Sequence, residues 1–324
     1  MKINDVFSMF HQDLLMVEHW MKKALSSDVR LIGEVSSHII GGGGKRLRPL
    51  LLLAVSAACG KEIDGRYPLA AVIEFIHTAS LLHDDVIDQA TTRRGKVAAN
   101  NIWGNEASVL VGDYLYARSF DLMTRYGNKR VITCLAKATT AMAEGEVFQL
   151  MKVGDLNITE EDYLKIIEGK TAVLISAACE IGAIISGADD RTIASFARYG
   201  HRVGLAFQMI DDALDYMAEE GTLGKTIGKD LKEGKITLPL IHALGLGHER
   251  DRQKVREILQ HSIKEEIDFR WIKDFIDRHK GISYTLDRAH SLSEEGKASL
   301  KDLPPSPALK ALHTLADYVV FRQS

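Results

Sequence analysis

The sequence predicts an all-α protein, and three observations support that fold class. Apolar residues recur at three- and four-residue spacing over long segments, as in the series Val6, Phe10 and Leu14, which places them on one face of a helix. Strand-like alternation of apolar and polar residues is scarce. The six prolines fall where helices should begin or end, because proline is tolerated in a helix only near its start.

Each predicted helix is an apolar periodic stretch bounded by glycine, proline or polar residues. In the first half, a glycine run at 41–44 precedes the third helix, and Pro49 and Pro68 lie near the starts of the third and fourth. In the second half, Pro239 and the proline cluster at 304–307 lie near the starts of two more. In chain order, the predicted helices cover residues 5–25, 28–40, 48–59, 66–88, 103–126, 129–152, 160–186, 190–217, 237–246, 251–260, 268–279, 282–301 and 306–322.

Length and charge narrow the class of protein. The 324 residues could form one large domain or two ordinary ones. Since no Gly/Ser-rich or Pro-rich linker divides the chain, we expect a single domain over residues 1–324. The formal net charge of −3 gives no general attraction to nucleic acid, so anionic ligands must be bound by local basic clusters.

The expected location is the cytoplasm. The three cysteines lie in apolar helical stretches without the spacing of a metal site or a disulfide framework, which is typical of a reducing compartment. The amino terminus has no apolar segment of the signal-peptide type. No apolar run is long enough to predict a transmembrane segment.

Two aspartate-rich motifs of the form DDxxD are the strongest indication of function. They comprise Asp84, Asp85 and Asp88 in the first motif, and Asp211, Asp212 and Asp215 in the second. The first and last carboxylates of each motif lie about one helical turn apart and repel each other. Both motifs lie at the ends of apolar helices, where an unpaired buried charge costs several kcal/mol. A merely solvated acidic surface therefore explains the two motifs poorly. Such oxygen-only ligands suit Mg²⁺, which commonly bridges carboxylates to substrate phosphates.

Two basic clusters accompany the acidic motifs. The glycine run leads into Lys45 and Arg48, and Arg93 and Arg94 follow the first DDxxD by a few residues. Glycine permits close backbone approach, and basic side chains donate charge-assisted hydrogen bonds to phosphate oxygens. The spacing is not that of a nucleotide P-loop. His77 lies about two helical turns before Asp84 and so on the same face, although a buried core histidine is the alternative interpretation.

The order and content of these motifs resemble those of the trans-prenyl diphosphate synthase family. The matching segments are GKRLRP at 44–49, HDDVID at 83–88 with RRG at 93–95, GKT at 169–171, FQMIDDALD at 207–215, GK at 224–225 through Lys235, LP at 303–304 and ADY at 316–318. The resemblance implies a helical bundle around a deep central cavity, normally a homodimer. It also implies Mg²⁺ at the mouth of the cavity, as three ions with bound diphosphate.

The resemblance further implies a role for each motif residue. The ions would be bound by Asp84, Asp88, Asp211 and Asp215, with Asp85 and Asp212 as additional or outer carboxylates. An allylic diphosphate would be held by Arg93, Lys170 and Lys225. The diphosphate of isopentenyl diphosphate would be held by Lys45, Arg48, His77 and Arg94. Lys235 would help from a loop that closes over the site, and Thr171 and Gln208 would face the carbocation that forms when diphosphate departs.

Product length is expected to depend on side chains beneath the first DDxxD. In this family, bulky aromatic residues four or five positions before the first aspartate stop growth early, and here those positions hold Ser80 and Ala79. Phe120 or Met123, on the facing helix, would form a lower floor, although both residue types are ordinarily core. We therefore predict an all-trans product of about seven to ten isoprene units, with octaprenyl as the central expectation, as found on respiratory quinones.

Several alternatives remain open at this stage. The chain could be a short-chain farnesyl or geranylgeranyl diphosphate synthase, or one subunit of a heteromeric heptaprenyl enzyme. A non-catalytic regulatory homologue should have lost motif residues, and none is missing here. A metal phosphohydrolase would leave the second DDxxD unexplained, and a terpene cyclase would not need a second basic diphosphate site. Transient membrane association for product release is compatible with each synthase.

Overall fold

A computed structural model describes residues 1–41, 43–60, 63, 65–217, 228–260 and 266–322. Most of these residues are helical. The strands among them are two, of two residues each, and they pair as one hairpin. The predicted all-α class is therefore confirmed. None of the helices within the described ranges is both long and apolar enough to cross a bilayer.

Seventeen α-helices lie within the described residues. In chain order they are α1 Ile3–Met9, α2 His11–Ala24, α3 Arg30–Ile40, α4 Leu47–Ala58, α5 Arg66–Ile87, α6 Ala99–Trp103, α7 Asn105–Tyr126, α8 Lys129–Met151, α9 Glu160–Ile167, α10 Val173–Ile185, α11 Asp190–Met217, α12 Lys229–Lys232, α13 Leu238–Leu246, α14 Glu249–Gln260, α15 Glu266–Arg278, α16 Gly281–Ala298 and α17 Pro307–Phe321. A π-helical segment, Glu168–Ala172, joins α9 to α10. Strands β1 (Thr92–Arg93) and β2 (Lys96–Val97) pair antiparallel.

The chain groups into two compact units. Unit 1 comprises Met1–Thr139, Leu174–Gly200 and Asp302–Leu315. Unit 2 comprises Thr140–Val173, His201–Lys301 and Ala316–Ser324. The single domain expected from the sequence stays a prediction.

Helix α5 forms the centre of unit 1 and carries the first DDxxD at its carboxyl end. It packs against α2, α4 and α7, and its residues from Leu69 to Ile76 are buried on all sides, as expected for a helix that is apolar all round. The contact with α7 requires Gly112, since a Cβ atom there would lie 2.3 Å from Nε2 of His83. Packing therefore fixes the end of the helix at which the carboxylates lie.

The π-helical segment in unit 2 positions the GKT motif. Gly169 lies against Gly145 of α8, and a Cβ atom on Gly169 would come within 2.8 Å of the Gly145 Cα. Two glycines are needed for this backbone approach. A π-turn inside a helix is rare and is frequent at functional sites. Here it sets the direction of Lys170 and Thr171.

Candidate active site

The first acidic motif separates into one buried and two half-buried carboxylates. Asp84 and Asp88 are half-buried and lie one turn apart, since the Asp88 backbone N–H donates to the Asp84 carbonyl at 2.8 Å. Asp85 is fully buried. Its Oδ1 accepts from Nε of Arg93 at 2.8 Å, and its Oδ2 is buried without a hydrogen-bond partner in the described part of the chain. The outer role expected of Asp85 stays a prediction, which its burial and its pairing with Arg93 favour.

Two hydrogen bonds hold the glycine-rich loop against the β1–β2 hairpin. Arg94 donates to the Gly43 carbonyl, and Nζ of Lys96 donates to the Gly41 carbonyl at 3.2 Å. Gly44 has a φ of +145°, and a Cβ there would lie 2.9 Å from the Arg94 guanidinium. The sequence-predicted clusters at 45–48 and 93–94 are thus brought together in unit 1.

His77 lies within this basic cluster. It is half-buried, and the pKa of its ring is well below the usual value, first because desolvation disfavours the charged form and then because Arg48, Arg94, Arg93 and Arg46 lie nearby. The ring is therefore neutral near pH 7 and retains one N–H donor. The arginines that contribute to this shift also provide the positive potential that would attract a diphosphate.

The candidate chain-length residues differ in exposure. Ala79 is fully buried on α5, and the Ser80 hydroxyl donates to the His77 carbonyl at 2.8 Å. On α7, Met123 is 2% exposed whereas Phe120 is 51% exposed. The exposure favours Met123 over Phe120 as a floor, and the floor itself stays a prediction.

Asp211 of the second motif is held by an arginine that the sequence did not point to. Arg322, just after α17, donates from Nη2 to Asp211 Oδ1 at 2.6 Å and to the Phe207 carbonyl at 3.0 Å. Its guanidinium also lies 3.9 Å from the centre of the Phe207 ring. These contacts fix one carboxylate oxygen of Asp211 on the surface of α11.

Asp212 points into the core of unit 2. Its Oδ2 accepts from the Tyr163 hydroxyl at 2.6 Å, and its Oδ1 accepts from Nε2 of Gln208 at 2.8 Å. Oε1 of Gln208 in turn accepts from the Thr171 hydroxyl at 2.7 Å. Burial raises the pKa of Asp212 well above its usual range, while the donors Tyr163 and Gln208 oppose that rise. The structure therefore brings together Thr171 and Gln208, the two residues expected to face the carbocation.

Asp215 binds the segment that follows the undescribed residues 218–227. Its two oxygens accept the backbone N–H groups of Lys229 and Asp230, both at 3.2 Å. The predicted diphosphate-binding residue Lys225 lies outside the described residues.

Two of the predicted lysines, Lys170 and Lys235, are paired with carboxylates within unit 2. Nζ of Lys170 lies 3.2 Å from an oxygen of Glu146, and Nζ of Lys235 lies 2.7 Å from Glu233. Burial raises the pKa of Asp230, and both lysines oppose the rise, so Asp230 lies within electrostatic reach of each. Glu146 and Asp230 are candidate site residues that the sequence did not indicate, although Asp230 lies between Lys225 and Lys235 in the segment that resembles the family.

Comparison with known proteins decides the family. A family model described as polyprenyl synthetase matches residues 29–276. The chain belongs to the polyprenyl synthetase family. It is 41% identical to the octaprenyl diphosphate synthase of Escherichia coli K12 over 321 residues, which cover 99% of this chain and 98% of that protein.

Two solved structures of polyprenyl synthases match over nearly the whole chain. A polyprenyl synthase from Caulobacter crescentus CB15, complexed with calcium and isoprenyl diphosphate, has a TM-score of 0.95 at 41% identity, covering 100% of this chain and 98% of that one. A decaprenyl diphosphate synthase from Rhodobacter capsulatus has a TM-score of 0.94 at 41% identity, covering 98% of each chain. The family resemblance inferred from the motifs is confirmed.

The acidic motifs of this polyprenyl synthetase offer donors that fit Mg²⁺. Within the described ranges, no three His, Cys, Asp or Glu side chains form a closed metal cluster. Mg²⁺ usually takes oxygens from substrate phosphates and water as well as from carboxylates, so the aspartates would supply only part of its ligands. Arg322 donates to Oδ1 of Asp211, so an ion bound by this aspartate would have to share the carboxylate with the guanidinium.

We expect metal-free stability and Mg²⁺ affinity to depend on pH through Asp215. Burial, then Asp230, raises the pKa of Asp215 to about 7. Because the folded-state pKa is raised, the protonated carboxyl stabilises the fold at low pH, and this contribution is lost as pH rises from about 4 through about 7. Mg²⁺ requires the ionised form, so its affinity should rise by up to about tenfold per pH unit over that window.

Thermal unfolding in EDTA and Mg²⁺–diphosphate calorimetry, both between pH 5 and 8, measure these two effects. The control is Asp215→Asn, which has no titrating group at this position. Its unfolding temperature should change less with pH than that of the wild-type polyprenyl synthetase. If the unfolding temperatures of the two proteins changed with pH in the same way, the pH dependence could not be assigned to Asp215.

Proposed function

We propose that this protein is a Mg²⁺-dependent trans-polyprenyl diphosphate synthase. It condenses an allylic diphosphate, such as farnesyl diphosphate, with successive isopentenyl diphosphates to give a long all-trans product, octaprenyl diphosphate, for quinone side chains. The observation that carries the proposal is the coexistence of two acidic motifs with a separate basic cluster around His77, because condensation requires sites for two diphosphates. Whole-length identity of 41% to an octaprenyl synthase supports the product class.

The two diphosphates are assigned to different residues. The acidic motifs, with Arg93, Lys170 and Lys225, hold the allylic diphosphate through Mg²⁺. The basic loop and hairpin, with Lys45, Arg48, His77 and Arg94, hold isopentenyl diphosphate. Carboxylates with metal on one side and guanidinium groups on the other provide the complementary charges that two adjacent polyanions need. This assignment requires the two DDxxD motifs to converge on one diphosphate.

The reaction is an ionisation followed by alkene addition. Bound Mg²⁺ supplies Lewis-acid stabilisation of the departing diphosphate. Lys170 and Arg93 add positive charge at the leaving oxygen, where electrostatic stabilisation is usually the largest catalytic contribution. The allylic C–O bond breaks with its electron pair on diphosphate, and the double bond of isopentenyl diphosphate then attacks the carbocation. A proton is lost to the released diphosphate, which forms the new double bond without a protein nucleophile.

Water must be kept from the carbocation, which it would trap as an alcohol. We assign this exclusion to closure of the segment that carries Lys235, which would also bring that lysine towards the diphosphate. Thr171 and Gln208 present oxygen atoms to the cation.

The most direct test is elongation by the purified chain. Incubation with Mg²⁺, farnesyl diphosphate and isopentenyl diphosphate, followed by mass spectrometry of the dephosphorylated products, should give an octaprenyl alcohol, and EDTA should abolish it. A C15 or C20 limit would support the short-chain alternative. No elongation by the chain alone would favour dependence on a dissimilar subunit, and light scattering on the same sample tests the proposed homodimer.

Replacing Ala79 by phenylalanine is expected to shorten the product, because an aromatic ring one turn below the metals closes the path of the growing chain. Ala79 is fully buried, so overpacking should cost about 1–3 kcal/mol of stability. Ser80→Phe, at a half-buried position, supplies a second bulky variant with less strain. Product mass is the measurement.

Ser80→Ala is the matched control, since it leaves the path open. Its product should match that of the wild type. An unchanged product length in both phenylalanine variants would refute the proposed tunnel beneath the first DDxxD.

A further inference from the structure

Four buried or half-buried side chains in unit 2 form one continuous hydrogen-bond chain. Tyr163 donates to Asp212 at 2.6 Å, Gln208 donates to Asp212 at 2.8 Å, and Thr171 donates to Gln208 at 2.7 Å. Tyr163, Asp212 and Thr171 are 2%, 3% and 4% exposed. These hydrogen bonds run from Tyr163 on α9 through α11 to the π-helical segment, where they end at Thr171.

Each member of this chain fixes the hydrogen-bond polarity of the next. Both oxygens of Asp212 accept hydrogen bonds, one from the Tyr163 hydroxyl and the other from the Gln208 NH₂ group, and the second bond sets the orientation of the Gln208 amide. That orientation leaves the amide oxygen of Gln208 facing Thr171, which must then give its single hydroxyl proton to Gln208. The lone pairs of the Thr171 oxygen are left for another partner. A reversed amide would instead direct the Thr171 proton outward, towards the developing positive charge.

We propose that Tyr163 and Asp212 are positioning residues, which act through Gln208 to make Thr171 present oxygen lone pairs rather than its proton to the allylic carbocation. The inference rests on the proposed prenyl-transfer function and deepens it. Asp212 is 3% exposed and both of its oxygens accept from side-chain donors on its own unit, which assigns this aspartate to the relay. The hydroxyl of Tyr163 anchors the far end, because it occupies the oxygen that Gln208 does not.

Tyr163→Phe tests the relay by removing one hydroxyl. The single-turnover rate of the first condensation, at saturating Mg²⁺ and substrates, should fall by about 10- to 100-fold, the usual effect of losing an outer hydrogen-bond partner. The KM values for both diphosphates and the Mg²⁺ activation constant should stay within about twofold, since no diphosphate or metal contact is removed. Fluorine on the allylic substrate destabilises the cation, so the rate of the variant should be more sensitive to fluorination than that of the wild type.

Tyr199→Phe is the matched control. Tyr199 is also fully buried, and its hydroxyl also donates over 2.6 Å, but to the backbone carbonyl of Leu312 in unit 1. This variant should lose stability and keep the wild-type fluorine sensitivity. A merely structural role for Tyr163 predicts that the two phenylalanine variants behave alike.

A double-mutant cycle with Thr171→Val supplies the second test. If Tyr163 acts through Thr171, Tyr163→Phe should have little further effect once the Thr171 hydroxyl is gone. Should Tyr163→Phe fail to fold, Asp212→Asn replaces it in the cycle, because its amide allows Gln208 to reverse. Additive losses, or unchanged fluorine sensitivity, would overturn the relay, whereas absence of elongation by the wild-type protein would overturn the proposed function instead.

Discussion

Asp84→Asn is expected to lower the single-turnover rate of the first condensation by about 100- to 1,000-fold. The substitution keeps the size of the side chain and removes its charge, and a neutral amide is a poor ligand for Mg²⁺. Asp84 ends a buried helix and is half-buried, so the fold should tolerate the change. Asp211→Asn should give a loss of similar size.

Rapid-quench measurement with radiolabelled isopentenyl diphosphate gives the rate. Asp302→Asn is the matched control, because Asp302 is exposed and pairs with Arg191 at 2.8 Å; its rate should equal that of the wild type. If both motifs grip one diphosphate, the Asp84/Asp211 double variant should be little slower than either single variant. Losses that multiply would show two independent sites.

Glu74→Ala is expected to lower the free energy of unfolding by about 3–5 kcal/mol. Glu74 is 4% exposed and pairs with Nη1 of Arg46 at 2.6 Å. Arg46 also donates to the Ile40 carbonyl at 2.7 Å, and its backbone has a φ of +47°, a left-handed conformation that costs energy outside glycine. Removing the carboxylate would leave a buried guanidinium without its counter-charge, at the start of α4.

The chain offers a close control for this pair. Arg30 and Glu34 also meet at 2.6 Å, but their side chains are 90% and 40% exposed, and exposed pairs contribute about 0–1 kcal/mol. In urea denaturation, Glu74→Ala should therefore lower the free energy of unfolding much more than Glu34→Ala does. The KM for isopentenyl diphosphate should also rise in Glu74→Ala, because Arg46 precedes the proposed ligand Arg48. Equal losses of unfolding free energy in the two variants would contradict the proposed role of the Arg46–Glu74 pair.

Local sequence signals predicted the long helices and the acidic ends of α5 and α11. Periodicity and prolines predicted α4, α5, α7, α8 and α11 to within one or two residues, because each buries an extended apolar face that no turn interrupts. The predicted helix at 5–25 is wrong in its continuity: it breaks at Phe10, where ψ is 13° and the ring is buried. The predicted helix at 160–186 is likewise interrupted by the π-helical segment, whose cause is the close approach of Gly145 and Gly169, a tertiary contact.

The supporting residues of the site could not be predicted in the same way. Tyr163 and Arg322 contact the second DDxxD across 49 and 111 residues of sequence, and tyrosines and arginines at such distances carry no local pattern. The short α6 and α12 and the β1–β2 hairpin were also missed, because two to five residues give no periodicity. Motifs thus identify the groups that are expected to bind diphosphate, while packing determines which side chains hold those groups in place.

The central claim is that the two acidic motifs bind one diphosphate through shared ions. A crystal structure with Mn²⁺ and a non-hydrolysable farnesyl thiodiphosphate, phased at the manganese edge, tests it most directly. The account predicts manganese peaks bridging the thiodiphosphate to Asp84 and Asp88 on one side and to Asp211 on the other. Manganese confined to one motif, or a thiodiphosphate bound away from both, would contradict it.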